Sequence, residues 1–401
     1  MREFRCSPQW RRDDPTGDRA VTTKVALISN TAWYLYNFQR GLIAELRRRG
    51  YDVLAIAPWD DHAERLQALG ATFRALVMDN KGTNPLRDLR LCIALRRLLR
   101  KERPRCVMTF TVKPNIFGAF AATSLGIPVI SNVSGLGTVF INRTWVTRVV
   151  RFLYRSALRT AAAVFFQNPE DLKEFRDAGL VDSAKARLVP GSGVDVRSFI
   201  PQRPEAGPAG RFRFLMLGRL LWDKGVGEFV AAAEQMRRRF PQCEFVLMGF
   251  TGADNRTAVS LAEVLEWERR GVLTYVAPPS DVRPHLAQAD CVVLPSYREG
   301  MPKALLEASS MAIPVIASDV PGCRQAVEDG VTGLLAKARD ADDLAEKMER
   351  MLKLSDTERL AMGQRAREKM AQEFDVTIVI GRYIEELSTV TCRGPGCRVT
   401  D

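Results

Sequence analysis

Short apolar runs that read as buried strands alternate with amphipathic stretches that read as helices along almost the whole chain. A chain patterned this way has few options: parallel sheets with helices on both faces. In the first half the strands fall at residues 24–30, 51–57, 73–77, 106–110 and 128–133, with a helix ending at Gly50 and others over 63–69, 85–101 and 115–125. A strand at 162–168 and a helix over 171–178 follow, and then a stretch broken by prolines and glycines that reads as an interdomain linker. The alternation resumes with strands at 212–220, 243–250, 272–277, 291–295 and 314–319, and helices over 227–239, 260–269, 282–288, from Pro302 onward and through Ala326. At 401 residues the chain can bury two cores. The expected architecture is therefore α/β, two doubly wound Rossmann-like parallel-sheet domains facing a cleft. The boundaries are a tail at 1–22, a first domain at 23–185, a linker at 186–210, a second domain at 211–372, a helix at 373–388 that crosses back to the first domain, and a tail at 389–401.

The net charge of +12 sits in one half: residues 24–185 carry 25 basic and 13 acidic side chains, whereas 187–401 carry 29 and 30. Such asymmetry points to an anionic partner for the first domain, a membrane surface or a phosphorylated acceptor, or else to arginines decorating solvated helix faces. A nucleic-acid partner is set aside because no basic motif is interleaved with aromatics. The segment 145–163 reads as an amphipathic helix with Arg148, Arg151, Arg155 and Arg159 recurring on one face, suited either to an anionic membrane or to core packing with a solvated side. Lys113 and Arg143 interrupt the longest apolar candidates, so no run reaches the 18 residues of a membrane span, and the first 22 residues have no apolar core of a signal peptide. The reading is a cytoplasmic protein, with the cytoplasmic face of the inner membrane as a peripheral docking surface. Eight cysteines show no metal spacing: Cys106 and Cys291 read as reduced core thiols, and Cys392 with Cys397 cannot close a tetrahedral metal site.

Candidate chemistry concentrates in SYREGMPKALLEAS, residues 296–309, a strand end, a turn and a helix. Gly300 permits the turn and Pro302 suits the first helical position, so the helix amides would point out of the sheet's carboxyl edge as an anion seat. Glu299 and Glu307 are eight residues apart, roughly 12 Å at helical rise. That exceeds the about 5–9.5 Å of a glycosidase pair and suits two grips on one elongated ligand; a surface glutamate on an ordinary amphipathic helix fits equally well. In LGRLLWDKG, residues 217–225, Arg219 and Lys224 follow a strand and would face the same cleft, where two cations neutralise a diphosphate. The pair Gly135 and Gly137 lacks the third glycine of a dinucleotide fingerprint, and Asp340 and Asp342 read as a helix start rather than a metal site.

GRLLWDKG, YREGMPKALLEAS and PVIASDVPGCRQAVEDGVTGLL resemble the donor-binding domain of family 4 retaining glycosyltransferases of the GT-B fold, and the resemblance covers nearly the whole chain. It implies a metal-independent, cofactor-free transfer of a hexose or N-acetylhexosamine from a UDP-sugar. Arg219 and Lys224, beside Gly218, would hold the diphosphate, Glu299 the sugar hydroxyls, Glu307 the ribose, and the Gly300 and Met301 amides the phosphate. Arg219, Lys224 and Glu299 would form the catalytic set, and VLTYVAPP would contact the base. ISNTAWYLYNF, TVKPNIFG and NVSGLGTVF are similar to enzymes that build bacterial capsule, O-antigen or N-linked glycans on polyprenyl-diphosphate sugars. That likeness implies a lipid-linked acceptor near Asn37, Lys113, Asn115, Ser134 and Gly135. Two departures stand out. Asn30, Thr31, Ala32 and Trp33 replace the family's glycine pair, and no histidine occupies a first-domain strand end, which leaves the departing phosphate to take the acceptor's proton. A sugar-nucleotide epimerase or a non-catalytic sugar-nucleotide binder would use the same cleft.

Overall fold

The computed structural model describes residues 23–79, 84–135, 145–202, 211–251 and 257–392. The first sheet runs β3-β2-β1-β4-β5-β6-β7, all parallel, from β1 (Lys24–Ile28), β2 (Asp52–Ala57), β3 (Thr72–Ala75), β4 (Cys106–Phe110), β5 (Val129–Val133), β6 (Ala163–Phe166) and β7 (Ala186–Leu188). The second runs β10-β9-β8-β11-β12-β13, also parallel, from β8 (Phe212–Arg219), β9 (Cys243–Phe250), β10 (Thr274–Val276), β11 (Cys291–Leu294), β12 (Val315–Ser318) and β13 (Leu334–Ala336). Burial on both faces explains the continuous apolar runs. On β1, Val25 and Leu27 pack toward the Ala32–Arg48 helix, while Ala26 and Ile28 pack toward the Pro85–Glu102 helix. In each sheet the order reverses between the first strand and the fourth, at β1–β4 and at β8–β11. Parallel α/β sheets bind ligands at the carboxyl edge of such a reversal, so the loops after β1, β4, β8 and β11 are the ones that matter.

The closing helix, Val376–Cys392, leaves the second domain and completes the core of the first. Val379, Tyr383, Ile384 and Leu387 bury there, Tyr383 lies edge-on to Phe165 with ring centroids 4.7 Å apart, and the Asn132 side-chain amide donates to its hydroxyl. Where the chain crosses between domains, the two passages are stapled: Val194 N–H donates to the Phe374 carbonyl and Val376 N–H to the Val194 carbonyl, each at 2.9 Å.

Three expectations shift. Ala186–Leu188, placed in the linker by its proline-rich surroundings, is strand β7 beside β6. The last helix continues to Cys392, so residues 389–392 are helical rather than tail. Pro302 caps the site helix in an extended conformation, φ −79° and ψ 107°, and the helix proper is Lys303–Ser310. Cys106 and Cys291 are buried free thiols, the former pushed up to about 12 by burial. Residues 1–22, Gly137, Arg143 and Cys397 lie outside the described residues. Among those described, no helix is long and apolar enough to cross a membrane.

Candidate functional site

The carboxyl ends of β8 and β11 are drawn together by Gly225. It adopts φ +77°, and a Cβ there would stand 2.0 Å from the Pro295 carbonyl oxygen, so only glycine lets the two loops close. The contact seats the short turn Trp222–Lys224 against the Glu299 loop, with Tyr297 N–H donating to the Asp223 carbonyl at 3.0 Å. Lys224 Nζ then donates to Glu299 Oε1 at 2.5 Å, and Ser296 Oγ donates to the same oxygen at 2.7 Å. The Tyr297 hydroxyl donates to Glu228 at 2.7 Å, and the Arg339 guanidinium lies 4.5 Å over its ring. Glu299 is thereby held in one orientation at the sheet edge. Arg219, at the end of β8 next to Gly218, is exposed, and its guanidinium has no hydrogen bond or ion pair to any described residue.

Past Glu299 the chain turns through Gly300 and Met301 into the helix. The Met301 side chain is buried in the core. The N–H groups of Gly300 and Met301 bond to no described residue, and no side chain caps the helix that follows. Unpaired amides at the positive end of a helix can receive an anion. Glu307, on one side of the same helix, is 8% exposed, and burial raises its pKa against the pull of Lys303, 3.4 Å away, and of Arg40 from the first domain, while Asp281 adds to the rise. Lys303 also donates to the Asn37 carbonyl at 2.8 Å and sits 5.4 Å over the Phe38 ring.

The first domain meets this loop directly. A Cβ on Gly300 would lie 2.4 Å from the Ser134 carbonyl oxygen, and one on Gly135 would lie 3.4 Å from Gly300 Cα. Ser134, Gly135 and Asn37 thus line the junction of the two domains, the Asn37 side chain being turned back to donate to the Trp33 carbonyl at 2.9 Å. Lys113 pairs with Asp88 at 2.6 Å. Asn115, at 1% exposure, donates to the Asn132 carbonyl at 2.8 Å and hydrogen-bonds Tyr154, while its Oδ1 is buried without a hydrogen-bond partner among the described residues. Asp340 caps its helix by accepting from Asp343 N–H at 2.9 Å, and Asp342 accepts from Gln235 at 2.6 Å.

The sequence reading missed the groups by which the first domain grips the site loop. Asn168 Nδ2 donates to the Gly300 carbonyl at 2.9 Å, Arg298 reaches Asp171 at 2.5 Å and Glu174 at 3.1 Å, and Gln325 donates to Glu170 at 2.9 and 3.0 Å. The signal available was the run Asn168-Pro169-Glu170-Asp171, a helix-start signature that announces a cap but not its partner.

Two family models match: "Glycosyl transferase 4-like domain" over residues 37–192 and "Glycosyl transferases group 1" over residues 201–369. The chain belongs to the glycosyltransferases. This glycosyltransferase is 28% identical over 377 residues, 90% of its own length and 97% of the relative's, to the N,N'-diacetylbacillosaminyl-diphospho-undecaprenol alpha-1,3-N-acetylgalactosaminyltransferase of Campylobacter jejuni. It is 27% identical over 303 residues, 73% and 77% of the two chains, to the UDP-Gal:alpha-D-GlcNAc-diphosphoundecaprenol alpha-1,3-galactosyltransferase of Escherichia coli. Its fold, two facing parallel-sheet domains of the GT-B type, matches Anabaena Alr3699/HepE in complex with UDP-glucose (TM-score 0.77, 19% identity, 91% and 99% of the chains). It also matches sucrose-phosphate synthase from Thermosynechococcus elongatus (TM-score 0.76, 21% identity, 92% and 100%).

Proposed function

We propose that the enzyme moves a hexose or N-acetylhexosamine from a UDP-sugar, with retention, onto a polyprenyl-diphosphate-linked glycan. The observation that carries this reading is the Lys224–Glu299 pair beside the unpaired Gly300 and Met301 amides and the unneutralised Arg219. The donor diphosphate sits between these cations and amides, Glu299 holds the sugar hydroxyls and Glu307 the ribose. As the glycosidic bond breaks, negative charge grows on the leaving phosphate, and groups already aimed at it stabilise the transition state more than the ground state. The acceptor hydroxyl attacks on the same face, and its proton passes to the departing phosphate oxygen. Two cations and the helix-start amides meet the diphosphate's charge, so the reaction calls for no metal. The acceptor reading is supported by both curated relatives, each named for a diphospho-undecaprenol-linked sugar.

The membrane side of the proposal rests on the first domain. In the Trp145–Thr160 helix, Val149 and Phe152 are 46% and 68% exposed among exposed Arg148, Arg151, Arg155 and Arg159. In the Pro85–Glu102 helix, Leu86, Leu89 and Ile93 are likewise exposed beside Arg90 and Arg97. Apolar tips within basic rims suit the anionic cytoplasmic leaflet, where a lipid-linked acceptor resides. The deciding experiment is UDP release from a panel of UDP-sugars, UDP-N-acetylgalactosamine and UDP-galactose first, with and without a polyprenyl-diphosphate-sugar, for wild type and Glu299→Ala. Acceptor-dependent release lost in the variant supports transfer; binding or isomerisation without release overturns it in favour of a sugar-nucleotide binder or epimerase.

A further inference from the structure

We infer that Asn168 and Asp171, on the domain opposite the donor loop, are positioning residues that aim the Met301 amide at the donor phosphate. The inference rests on the proposed phosphate role of that amide. Asn168 begins the Pro169–Asp177 helix, and its Oδ1 accepts from Asp171 N–H at 2.7 Å. That bond fixes which end of the side-chain amide is oxygen, so the nitrogen end must face the other way. There it donates to the Gly300 carbonyl at 2.9 Å and to Asp171 Oδ2 at 3.0 Å. The peptide bond is planar and, as everywhere in the described chain, trans, so the Gly300 carbonyl and the Met301 N–H point in opposite directions. A carbonyl held toward Asn168 therefore turns the Met301 N–H away from Asn168 and into the crevice. Glycine at 300 gives this peptide no rotational preference of its own, and an outside grip is what selects one orientation.

Asp171 supplies the second hold. It is fully buried, and Arg298, the residue before Glu299, reaches it at 2.5 Å. A buried ion pair of this kind adds little net stability for its desolvation cost but fixes geometry well. Both holds cross from one domain to the other, so they exist only while the domains are together. Donor entry and UDP departure need the cleft open, and opening releases the Gly300–Met301 peptide. The amide is thus aimed at the phosphate only in the closed enzyme, which ties bond cleavage to the state that shields the donor from water.

Asn168→Ser tests this cleanly, because serine still caps the helix but is too short to reach the Gly300 carbonyl. The expected result is a fall of about tenfold in kcat for acceptor-dependent UDP release, with donor KM and the Kd for UDP within about twofold, as for an interaction gained in the transition state. Asp171→Asn is expected to act in the same direction. Independently of turnover, hydrogen exchange at the Met301 amide in the UDP complex is expected to rise at least several-fold in Asn168→Ser. Unchanged kcat, unchanged exchange, or a parallel loss of kcat, UDP affinity and thermal stability overturns the inference. Arg219→Ala and Lys224→Ala are measured alongside: if they cripple turnover while Asn168→Ser does not, positioning alone fails, and if none has an effect, the phosphate seat itself is misplaced.

Discussion

Gly300→Ala separates domain closure from domain stability. The added methyl would stand 2.4 Å from the Ser134 carbonyl oxygen, 1.0 Å inside an ordinary contact of 3.4 Å, with Gln167 Oε1 at 3.2 Å as a second obstacle. The nearer obstacle is backbone and cannot rotate aside, but it belongs to the other domain, so the strain is relieved by parting the cleft. Overpacking of this kind costs about 1–3 kcal/mol. If about 2–3 kcal/mol of it falls on the closed state alone, the closed population drops about 30- to 150-fold, and kcat/KM for transfer should fall with it. Thermal unfolding should barely move, because the open form keeps both cores. Gly225→Ala is the contrast: its methyl meets the Pro295 carbonyl at 2.0 Å within one domain, at φ +77°, and no hinge can relieve it. That variant should lose at least about 5 °C of Tm. Steady-state UDP release, calorimetric melting and small-angle scattering with UDP bound provide the readouts. Wild-type kcat/KM in Gly300→Ala, unchanged compaction, or a Tm loss equal to that of Gly225→Ala refutes the reasoning.

Further outcomes follow from the same site. Glu299→Ala should lower kcat by about 10²- to 10³-fold while leaving UDP affinity near wild type, whereas Lys224→Ala should damage both, because it removes a phosphate cation and leaves Glu299 without its counter-ion; equal, mild effects in turnover and UDP titration would contradict this. Burial raises the Glu307 pKa, so its ionised form costs stability, and that cost grows as pH rises from below its unfolded value through its folded one. Glu307→Gln should therefore melt higher than wild type near pH 7.5, with the advantage shrinking toward pH 4, and should bind UDP more weakly; a melting difference that does not change with pH counts against the buried-charge argument. Tyr383→Phe leaves the buried Asn132 amide without its acceptor and should cost about 1–3 kcal/mol in denaturant unfolding. Phe152→Asp should reduce flotation with anionic liposomes, and flotation that is the same on neutral and anionic lipids would remove the membrane proposal.

Most of the fold was legible because buried parallel strands must be continuous apolar runs, and CVMTF and CVVLP fall on β4 and β11. What escaped was structure whose stabilisation lies elsewhere in the chain. Ala186–Leu188 is a strand because β6 offers it an edge, not because its residues insist. The last helix passes residue 388 although no breaker or cap in the sequence marked that extension. At the site, Glu299, Lys224 and the glycine turn stand in recognisable local order, whereas Asn168 and Gly300 are 132 residues apart and no local pattern joins them. Lys113 and Asn115 show the same limit of local pattern: their types suit an acceptor pocket, and nothing near them in sequence announces Asp88, Asn132 and Tyr154 as their partners.

The returning helix also sets the order in which the molecule can be made. Tyr383, Ile384 and Leu387 are part of the first domain's interior, yet the ribosome adds them after the whole second domain. At about 5–20 residues per second, the roughly 200 residues between β7 and that helix take about 10–40 s to emerge. Throughout that interval the nascent first domain presents an open apolar groove beside Phe110 and Phe165, the rings against which Tyr383 will settle. A truncation just before residue 376 should leave that groove permanently uncovered.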